Sequence, residues 1–584
     1  MKSFWNKLKR FQSSKVCSSL NAEDMASHYK TIMSDTGNMN RKQQNICDHV
    51  ERYAISNRDC YEDFVIAPQQ VMTLVKSLKL DKSPGCDGIT PEHLAYGMSP
   101  ALASALAELY SLIISTATVP SIFTSGLIIP ILKKSSCDPN VPANYRPITL
   151  SSLHSKIVEM IIMPDNEANE CQYGFTEGRG TTFVTSTIND CAAYYIDKRS
   201  PLFCCSLDAE KCFDSIWHAG LMYKLCTVLP SHHWMLLYRW YKSTTATVRW
   251  NGSNSMPFPV TKGMRQGSLL SPKLFNIFLD EMLQQLKTSD NGARIFDLTV
   301  NCCAYADDVN LLASSVKGLQ HLIDICIAYG ELYRFKFGHK KSKCIIFGKN
   351  LLSQVPTWKL GHQTLAVENE VEILGVTFDN KLSYNNHIQT RINSCRQRVY
   401  GLATVGMTYP GLSSEAKSYI WKSLGAPIMS YAIDSIPFST SNARKLSGAQ
   451  GTILKRVMGI PNRSHHSKLL EAMDVPKITE VIKHNTLTLY NRIFKCECPA
   501  KEVQTRFLSN YLKGGKLTGS SLLHKVISCG ASPVETALNS PAKVAPNDTA
   551  DGFIDSLQYM ILHDNYIKPH SNEHQLVRLM LKAF

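Results

Sequence analysis

Three aspartates stand at the ends of short apolar segments, where buried strands would bring them together. Asp208 closes the apolar run 203–208, and Asp307 with Asp308 separates the apolar runs 300–305 and 309–313. Buried carboxylates repel one another, so their approach requires cations. Two Mg²⁺ ions about 3.5–4 Å apart meet that requirement, and the same pair activates a hydroxyl nucleophile and stabilises a leaving pyrophosphate. The alternative interpretation is structural, with Asp208 as a helix N-cap and the other two acids in a solvated turn.

The elements that must position these acids are predicted from the apolar pattern around them. The run 203–208 predicts a strand followed by a turn and a helix over 218–228, and 300–313 predicts a hairpin with two acids at its tip. Earlier in the chain we predict a helix from Pro68, a turn at 82–88 and a strand at 126–132. Later we predict strands at 357–360 and 371–378, then helices from 386 to about 507.

The composition excludes several classes of protein. The chain has 584 residues, with 63 Lys plus Arg against 48 Asp plus Glu, a net charge of +15 that favours a polyanionic partner. Nineteen cysteines are scattered without zinc-finger spacing, which indicates reduced thiols inside a cell and no structural zinc. The longest apolar stretch is broken by Pro120, Gly126 and Pro130, so no membrane span is predicted.

Nine motifs follow one another in an order that is typical of one family. They are KSPGCDG at 82–88, IIPILKK at 128–134, NYRPITL at 144–150, QYGFTEGRGTT at 172–182, SLDAEKCFD at 206–214, GMRQGSLLSP at 263–272, YADD at 305–308, KKSK at 340–343 and ILGV at 373–376. Together they resemble the reverse transcriptases of LINE-type, non-LTR retrotransposons, and within these the jockey-like members. The resemblance covers roughly residues 64–388 and weakens through the helical part to about residue 507.

The resemblance implies a catalytic triad of metal-binding aspartates, Asp208, Asp307 and Asp308. It implies two Mg²⁺ ions, with Mn²⁺ as a substitute, and a further metal ligand in the backbone carbonyl of Ala209. Asp307 would be the more direct ligand of its pair. DNA synthesis then needs a primer 3′-hydroxyl in line with the α-phosphorus, with catalysis supplied mainly by position and charge.

Three further residues match nucleotide-binding positions of the family. Lys133 and Arg146 match cationic residues that grip the triphosphate, and both side chains suit phosphate. Phe213 matches the aromatic steric gate that collides with a ribose 2′-hydroxyl. The structural alternatives are solvated surface charges for the two cations and a packed core ring for Phe213.

The remaining matched residues lie in two later motifs. Gln266 and Gly267 match positions beside the templating base pair, where a missing side chain allows close approach. The alternative is an ordinary turn before a helix. Lys341 matches the lysine near the pyrophosphate, where it could act as general acid, although the neighbouring lysines leave that choice uncertain by a position or two.

Two arginines are predicted to bind nucleic acid. Arg179 matches a template-holding position, and it stands alone there because this chain has Thr176 where the family usually has a second arginine. Arg265 is predicted to make a template-backbone contact or a structural one.

The fold class implied by the resemblance is α+β, a right-hand polymerase with fingers, an antiparallel-sheet palm, a thumb, and helical N- and C-terminal extensions. The predicted segments are a helical extension or linker at 1–63, fingers and palm at 64–383, a helical thumb at 384–459, a helical region at 460–513, and a flexible linker with a terminal helix at 514–584. The roughly eighty residues before the first motif are too few for the endonuclease domain that family members often carry. We therefore expect that a missing domain or another protein supplies that function.

The predicted function is RNA-directed DNA polymerase, with an RNA template, a DNA primer and deoxynucleoside triphosphates as partners and no membrane. The expected location is intracellular, in the nucleus for target-primed synthesis, with cytoplasmic assembly as the alternative. Two rival functions stay open: an inactive nucleic-acid-binding relic of a retroelement, and a polymerase of another template class, such as an intron maturase or an RNA-dependent RNA polymerase.

Overall fold

The computed structural model describes residues 18–538 except 36, 60, 135, 166, 349–351, 404 and 405. The α-helices are α1 (Ala22–Met33), α2 (Arg41–Ser56), α3 (Pro68–Ser77), α4 (Pro91–Gly97), α5 (Pro100–Ser115), α6 (Ser121–Thr124), α7 (Leu153–Ile161), α8 (Thr181–Asp197), α9 (Cys212–Ser215), α10 (His218–Leu225), α11 (Ser231–Lys242), α12 (Ser271–Lys287), α13 (Val316–Tyr333), α14 (Asn385–Tyr400), α15 (Ser414–Ile420), α16 (Ala426–Ser430), α17 (Thr440–Met458), α18 (His466–Ala472), α19 (Ile478–Phe494), α20 (Pro499–Leu512), α21 (Leu522–Ser528) and α22 (Pro533–Leu538). The strands are β1 (Ser125–Leu132), β2 (Tyr145–Leu150), β3 (Leu202–Asp208), β4 (Thr245–Trp250), β5 (Ser253–Asn254), β6 (Phe258–Pro259), β7 (Ala293–Ile295), β8 (Leu298–Val300), β9 (Cys302–Tyr305), β10 (Asp308–Ala313), β11 (Lys343–Phe347), β12 (Lys359–Leu360), β13 (Gln363–Thr364), β14 (Ala366–Glu368), β15 (Glu370–Ile373) and β16 (Val376–Asp379).

The chain divides into two compact units, each assembled from separate segments. Unit one holds the described residues of Met1–Ala168, Ala209–Met282 and Ile327–Phe337. Unit two holds those of Asn169–Asp208, Leu283–Cys326 and Gly338–Phe584. The molecule is mixed α and β, as predicted, whereas the finer division into fingers, palm and thumb and its segment boundaries stay predictions.

Unit one is built on a mixed sheet with the strand order β2-β1-β4-β5, and β6 also pairs with β4. β1 is antiparallel to β2 and parallel to β4. α1 begins at a capping box, since the Asn21 side chain accepts from the Asp24 N–H and the Asp24 carboxylate accepts from the Asn21 N–H. Met25 and Tyr29 of this helix are buried in a cluster with Val248 of β4.

Unit two is built on a sheet with the strand order β14-β11-β3-β10-β9. The four strands from β11 to β9 are antiparallel, and β14 at the edge runs parallel to β11, so this sheet is mixed. Its assignment to the palm stays a prediction. β3 is buried along most of its length because its nearly continuous apolar run packs on both faces. α8 adds Phe183 and Ile188 to the cluster that contains Cys204 and Ile345 of the sheet.

Thiols line this second sheet. Cys204 and Cys205 on β3, Cys303 on β9 and Cys344 on β11 are fully buried, and Cys205 lies opposite Cys344 across the ladder. All four are free cysteines, as predicted from their scattered positions.

The prediction of a flexible linker after residue 514 is wrong for the part that the structure describes. α21 and α22 occupy 522–538, and Leu522, Leu523, Val526 and Val534 are buried in the core of unit two. The Gly- and Ser-rich composition after residue 514 favoured a loop. The helices form because residues distant in sequence bury their apolar side chains. The predicted terminal helix falls within 539–584, outside the described residues.

Two other predicted elements differ in detail. The strand predicted at 371–378 is the hairpin of β15 and β16, because Leu374 and Gly375 turn the chain with φ of +49° and +78°. The helical N-terminal extension is confirmed at α1 and α2, while 1–17 lies outside the described residues. Over the part of the chain that is described, no helix has the length and apolar character needed to cross a bilayer.

Candidate active site

The sheet of unit two brings the three predicted aspartates together at one end. Asp208, the last residue of β3, lies directly opposite Asp308, the first residue of β10. Residues opposite one another on an antiparallel ladder project from the same face, and like charges in such a pair are destabilising. Ala306 and Asp307 form the turn between β9 and β10, and Ala306 has a φ of +55°, a left-handed conformation that two-residue hairpin turns use.

Charge and burial act together on Asp308. Burial, together with the negative charges of Asp307 and Asp208, raises the pKa of the Asp308 carboxyl to about 6, while Lys341 opposes the shift. A carboxyl group in that position gains from any positive charge placed beside it. The end of the sheet is therefore a place where cations are stabilised.

The turn before β11 supplies one such positive charge. The Lys341 ammonium donates to both carboxylate oxygens of Asp208, at 3.0 and 3.3 Å. Ser342, which is buried, accepts from the Asp208 N–H at 3.2 Å and donates to the Gly338 carbonyl at 2.8 Å. Lys341 thus lies beside Asp208, while its place near the pyrophosphate stays a prediction. The structure adds Ser342, which the sequence interpretation of the lysine-rich motif did not single out.

The donor set of this end of the sheet fits a hard divalent cation. Carboxylate oxygens are the ligands that Mg²⁺ prefers, and Mg²⁺ keeps water and phosphate oxygens in the rest of its shell. Among the described residues, however, no group of three or more His, Cys, Asp or Glu side chains is arranged to hold a metal ion. Asp208, Asp307 and Asp308 as metal ligands stay a prediction.

In unit one, Lys133 and Arg146 lie on one face of the β1–β2 hairpin. Arg146 is opposite Ile131 in the ladder, and the Lys133 N–H continues the pairing by donating to the Asn144 carbonyl at 2.9 Å. Side chains two residues apart on a strand share a face, so the two cations are diagonal neighbours. Both are exposed, and the Lys133 ammonium donates to the Ala143 carbonyl at 2.7 Å. Two neighbouring exposed cations match the predicted phosphate-binding role.

Phe213 follows the catalytic motif in α9 and is partly exposed. Its ring stacks on Phe275, with the centroids 4.9 Å apart and the planes inclined by 22°. Ala209 begins this stretch of unit one and pairs with Phe337 in an isolated bridge. Stacking gives the Phe213 ring a defined orientation, which both a steric gate and a packed core ring require.

Gln266 is tied to an acid that the sequence interpretation did not single out. Its side-chain amide donates to the Asp214 carboxylate at 2.7 Å, and its carbonyl accepts from the Thr149 N–H at 2.7 Å. Burial raises the pKa of Asp214 to about 6, although Gln266, Lys211 and Lys133 oppose that shift. Asp214 ends the SLDAEKCFD motif, and a buried acid in a motif is the signal that would have identified it.

Gly267 is required by backbone approach within the protein itself. Its φ is +126°, and a Cβ atom at this position would come within 2.7 Å of the Thr149 carbonyl oxygen. The predicted close approach therefore exists, but the group that approaches is the end of β2. Contact with a templating base pair stays a prediction.

Comparison with known proteins agrees with this arrangement. Residues 131–378 match the family model described as reverse transcriptase (RNA-dependent DNA polymerase). The chain is 24% identical over 463 residues to the RNA-directed DNA polymerase from mobile element jockey of Drosophila melanogaster, covering 76% of this chain and 50% of that protein. It is 25% identical over 447 residues to the probable RNA-directed DNA polymerase from transposon BS of the same species, covering 73% and 48%.

A more distant match is the putative 115 kDa protein in type-1 retrotransposable element R1DM of Drosophila melanogaster, 27% identical over 380 residues and covering 61% of this chain and 35% of that protein. Residues 131–378 thus carry a reverse transcriptase domain, and the relatives that the chain resembles are named as polymerases or proteins of mobile elements. The resemblance drawn from the nine motifs is thereby confirmed. The chain spans about half the length of the first curated relatives it matches.

The guanidinium of Arg179, predicted to hold the template strand, contacts main-chain carbonyls of unit two. One terminal nitrogen donates to the carbonyls of Asn169, Glu170 and Gln172 at 2.8–3.1 Å, and the other donates to the Glu497 carbonyl at 2.6 Å. These main-chain contacts organise the loop of its own motif. Carbonyls brought close by the fold satisfy these donors, and the role of Arg179 in holding the template stays a prediction.

Two kinds of contact were predicted for Arg265, one with the template backbone and one structural. The structure shows contacts of the structural kind. The Arg265 guanidinium donates to the carbonyls of Phe123 and Thr124 at 2.6 and 2.5 Å. The buried carboxylate of Glu159 stabilises it and also accepts from Ser268 and from the Leu269 N–H. Arg265 thus holds the GMRQGSLLSP loop against α6, and a contact with the template backbone stays a prediction.

Proposed function

We propose that this chain is an RNA-directed DNA polymerase that copies retrotransposon RNA into DNA. The observation that carries the proposal is the pairing of Asp208 with Asp308 beside Asp307, at the end of a sheet inside the segment that matches the reverse transcriptase model. The relatives named as RNA-directed DNA polymerases support the same activity.

The proposed reaction is transfer of a nucleotide to a primer 3′-hydroxyl. The divalent metal ions implied by the family, proposed as two Mg²⁺ with Mn²⁺ as substitute, would supply activation of that hydroxyl and neutralisation of the leaving pyrophosphate. Asp208, Asp307 and Asp308, with the Ala209 carbonyl, would hold them. Lys341, already beside Asp208, stabilises negative charge on the departing phosphates.

Selection and grip of the nucleotide are proposed for residues of unit one. Lys133 and Arg146, exposed on one hairpin face, bind the triphosphate as a point charge and a bidentate donor. Phe213, oriented by Phe275, excludes the ribose 2′-hydroxyl. Gln266 and Gly267 contact the nucleotide through a loop that Asp214 and Thr149 fix.

The proposed partners are an RNA template, a DNA primer and deoxynucleoside triphosphates, with the endonuclease step supplied by another domain or protein. Nuclear localisation follows from target-primed synthesis and is proposed with it. The jockey-like relatives and the net charge of +15 support a nucleic-acid partner.

Primer extension on an RNA template tests the proposal. We expect extension with dNTPs and Mg²⁺, and little extension with rNTPs. Extension with rNTPs alone would instead indicate an RNA polymerase, and binding of the hybrid without extension would indicate an inactive relic.

Substitution of the acids sharpens this test. Asp208→Asn and Asp307→Asn should each abolish extension, because each removes a metal-binding charge and little packing. Asp297→Asn is the control, since Asp297 is an exposed acid of unit two paired with Arg506. The folded state of each variant is checked by circular dichroism, and near wild-type extension by either active-site variant would contradict the two-metal assignment.

A further inference from the structure

Gln172 reaches from a loop of unit two onto the turn that carries the catalytic acids. Its side chain is fully buried, and its carbonyl oxygen accepts from the Ala306 N–H at 2.8 Å and from the Gly174 N–H at 2.8 Å. Its amide nitrogen donates to the Ala306 carbonyl at 3.3 Å. One side chain therefore satisfies both main-chain groups of Ala306, the residue before Asp307.

The main chain around Gln172 is fixed to the same hairpin. The Tyr173 N–H donates to the Ala304 carbonyl, and the Ala304 N–H donates to the Cys171 carbonyl, both at 2.8 Å. A Cβ atom at Gly174 would lie 2.2 Å from the Ala306 nitrogen, so a side chain there would displace the turn. The loop and the turn are in direct contact, with no room for water between them.

Arg179 completes this support from the other side of the loop. In these contacts the Arg179 guanidinium donates to the carbonyl of Gln172 at 2.8 Å. The chain of contacts runs from Arg179 to Gln172 and from Gln172 to Ala306. Through these hydrogen bonds the QYGFTEGRGTT motif supports the turn of the YADD motif.

The turn needs such support for a physical reason. Ala306 has a φ of +55°, a left-handed conformation that is strained for a residue with a Cβ atom. Asp307 and Asp308 repel each other and Asp208, which favours any rearrangement that separates them. The Gln172 hydrogen bonds, made in a buried place, oppose both effects.

We propose that Gln172 is a positioning residue of the active site: it holds the main chain at Ala306, and through it the Asp307 and Asp308 carboxylates, in the place where divalent cations bind. This inference rests on the proposed polymerase function. In the proposed role Gln172 contacts neither nucleotide nor metal, and it acts only by holding the turn.

The chain offers a matched control in Gln450 of α17. Gln450 is equally buried, its oxygen accepts from the Ile478 N–H at 2.8 Å and its nitrogen donates to the Pro476 carbonyl at 2.9 Å. Gln172→Met and Gln450→Met remove the same two kinds of hydrogen bond and conserve side-chain volume. Any difference between the two variants then reflects position and not loss of a buried amide.

Three measurements are made on the full chain. Hydrogen exchange of peptides that contain Ala306 should become about tenfold faster in Gln172→Met, since one lost buried hydrogen bond is worth about 1.4 kcal/mol. Binding of Mn²⁺ alone, followed by electron paramagnetic resonance, should weaken several-fold. In primer extension the half-saturating Mg²⁺ concentration should rise, while the KM for dNTP changes little and Mn²⁺ restores part of the rate, because it binds such sites more tightly.

Gln450→Met should leave all three values at those of the wild type. Gln172→Glu, which keeps the acceptor oxygen for both N–H groups, should retain the slow exchange at Ala306. The proposal is overturned if exchange at Ala306 and Mn²⁺ affinity are the same in Gln172→Met and Gln450→Met. A wild type that fails to extend primers would contradict the polymerase function alone, because exchange and Mn²⁺ binding still test the role of Gln172.

Discussion

Phe213 illustrates how one side chain can combine packing with selectivity. Its stacking on Phe275 gives the ring a defined orientation, and the side chain is partly exposed. We expect Phe213→Val to admit ribonucleotides, because the smaller side chain no longer collides with the 2′-hydroxyl. The measurement is the ratio of dNTP to rNTP incorporation in primer extension.

Phe213→Tyr serves as the matched variant, since it retains the ring and should retain exclusion. Unchanged selectivity in a folded Phe213→Val protein would reduce Phe213 to a core residue.

At this scale the sequence predicts identities better than contacts. Asp208, Asp307 and Asp308 could be singled out because Asp208 ends a short apolar run and Asp307 with Asp308 separates two others, which is a local pattern. The partners of Arg179 and Arg265 could not, since the carbonyls of Glu497 and Phe123 are brought to them by the fold from positions 318 and 142 residues away. A sequence motif indicates that a loop positions the arginine. It does not show which hydrogen-bond acceptors the fold brings to the guanidinium.

Among the elements, the approach of the GMRQGSLLSP loop to β2 depends on a single missing side chain. Gly267→Ala should lower the free energy of unfolding by about 1–3 kcal/mol and reduce extension, because the new Cβ atom meets the Thr149 carbonyl oxygen. Denaturation midpoints and extension rates measure the two effects.

The control is Gly252→Ala in the turn between β4 and β5. Gly252 has a φ of +87° and nothing within 4 Å of an added Cβ atom, so it carries the conformational cost without the collision. Equal losses in the two variants would show that conformation alone, and not the contact with β2, makes Gly267 necessary.

A buried acid connects α8 to α20 and α21. Asp190 accepts from the Leu522 N–H at 2.8 Å and from the side chains of Asn189 and Gln504. Burial raises its pKa to about 7, although these three donors oppose the shift. The folded protein therefore retains a proton that the unfolded chain, with an ordinary carboxyl, loses above about pH 4.

It follows that this group makes the protein less stable as the pH rises from about 4 to about 7, by up to about 4 kcal/mol. Asp190→Asn should remove that slope, so the variant gains stability relative to the wild type as pH rises through this range. Denaturation midpoints of both proteins at several pH values measure it. Parallel pH profiles would show that Asp190 is ionised in the folded state.

The elements themselves could be predicted where one segment contains the whole signal. β3 and the β9–β10 hairpin are such segments, with apolar runs bounded by acids and turns. α21 could not be predicted, because its N-terminal N–H meets Asp190 from a helix more than three hundred residues earlier and its apolar residues are buried by other helices. The split of 371–378 into β15 and β16 depends on the two positive φ values at Leu374 and Gly375, which an apolar run conceals.

For the whole molecule, the net charge of +15 predicts how binding depends on salt. For each phosphate neutralised, the logarithm of affinity should fall with the logarithm of salt concentration by roughly 0.7 to 0.9. Arg396 is partly exposed and Arg398 is exposed on α14, and both are proposed contacts. Replacing both with alanine should flatten the slope by that amount for each true contact, as measured by titration of an RNA–DNA hybrid at several salt concentrations.

Lys76→Ala with Lys79→Ala is the control, because it removes the same charge from exposed positions near α3. If the Arg396 and Arg398 variant has the slope of the wild type, these two residues do not contact the nucleic acid, whatever the polymerase assay shows.

The four buried thiols in the sheet of unit two allow opening of this sheet to be followed by chemical modification. Burial raises the pKa of Cys204, and a hydrogen bond with Cys344 together with burial raises the pKa of Cys205. Both thiols therefore resist alkylation in the folded protein. A reagent reaches them when the core around β3 opens, and separation of β3 from β10 would also part Asp208 from Asp308. The alkylation rate of Cys205 therefore reports how often this part of the sheet opens. The measurement needs no substrate, metal or catalysis.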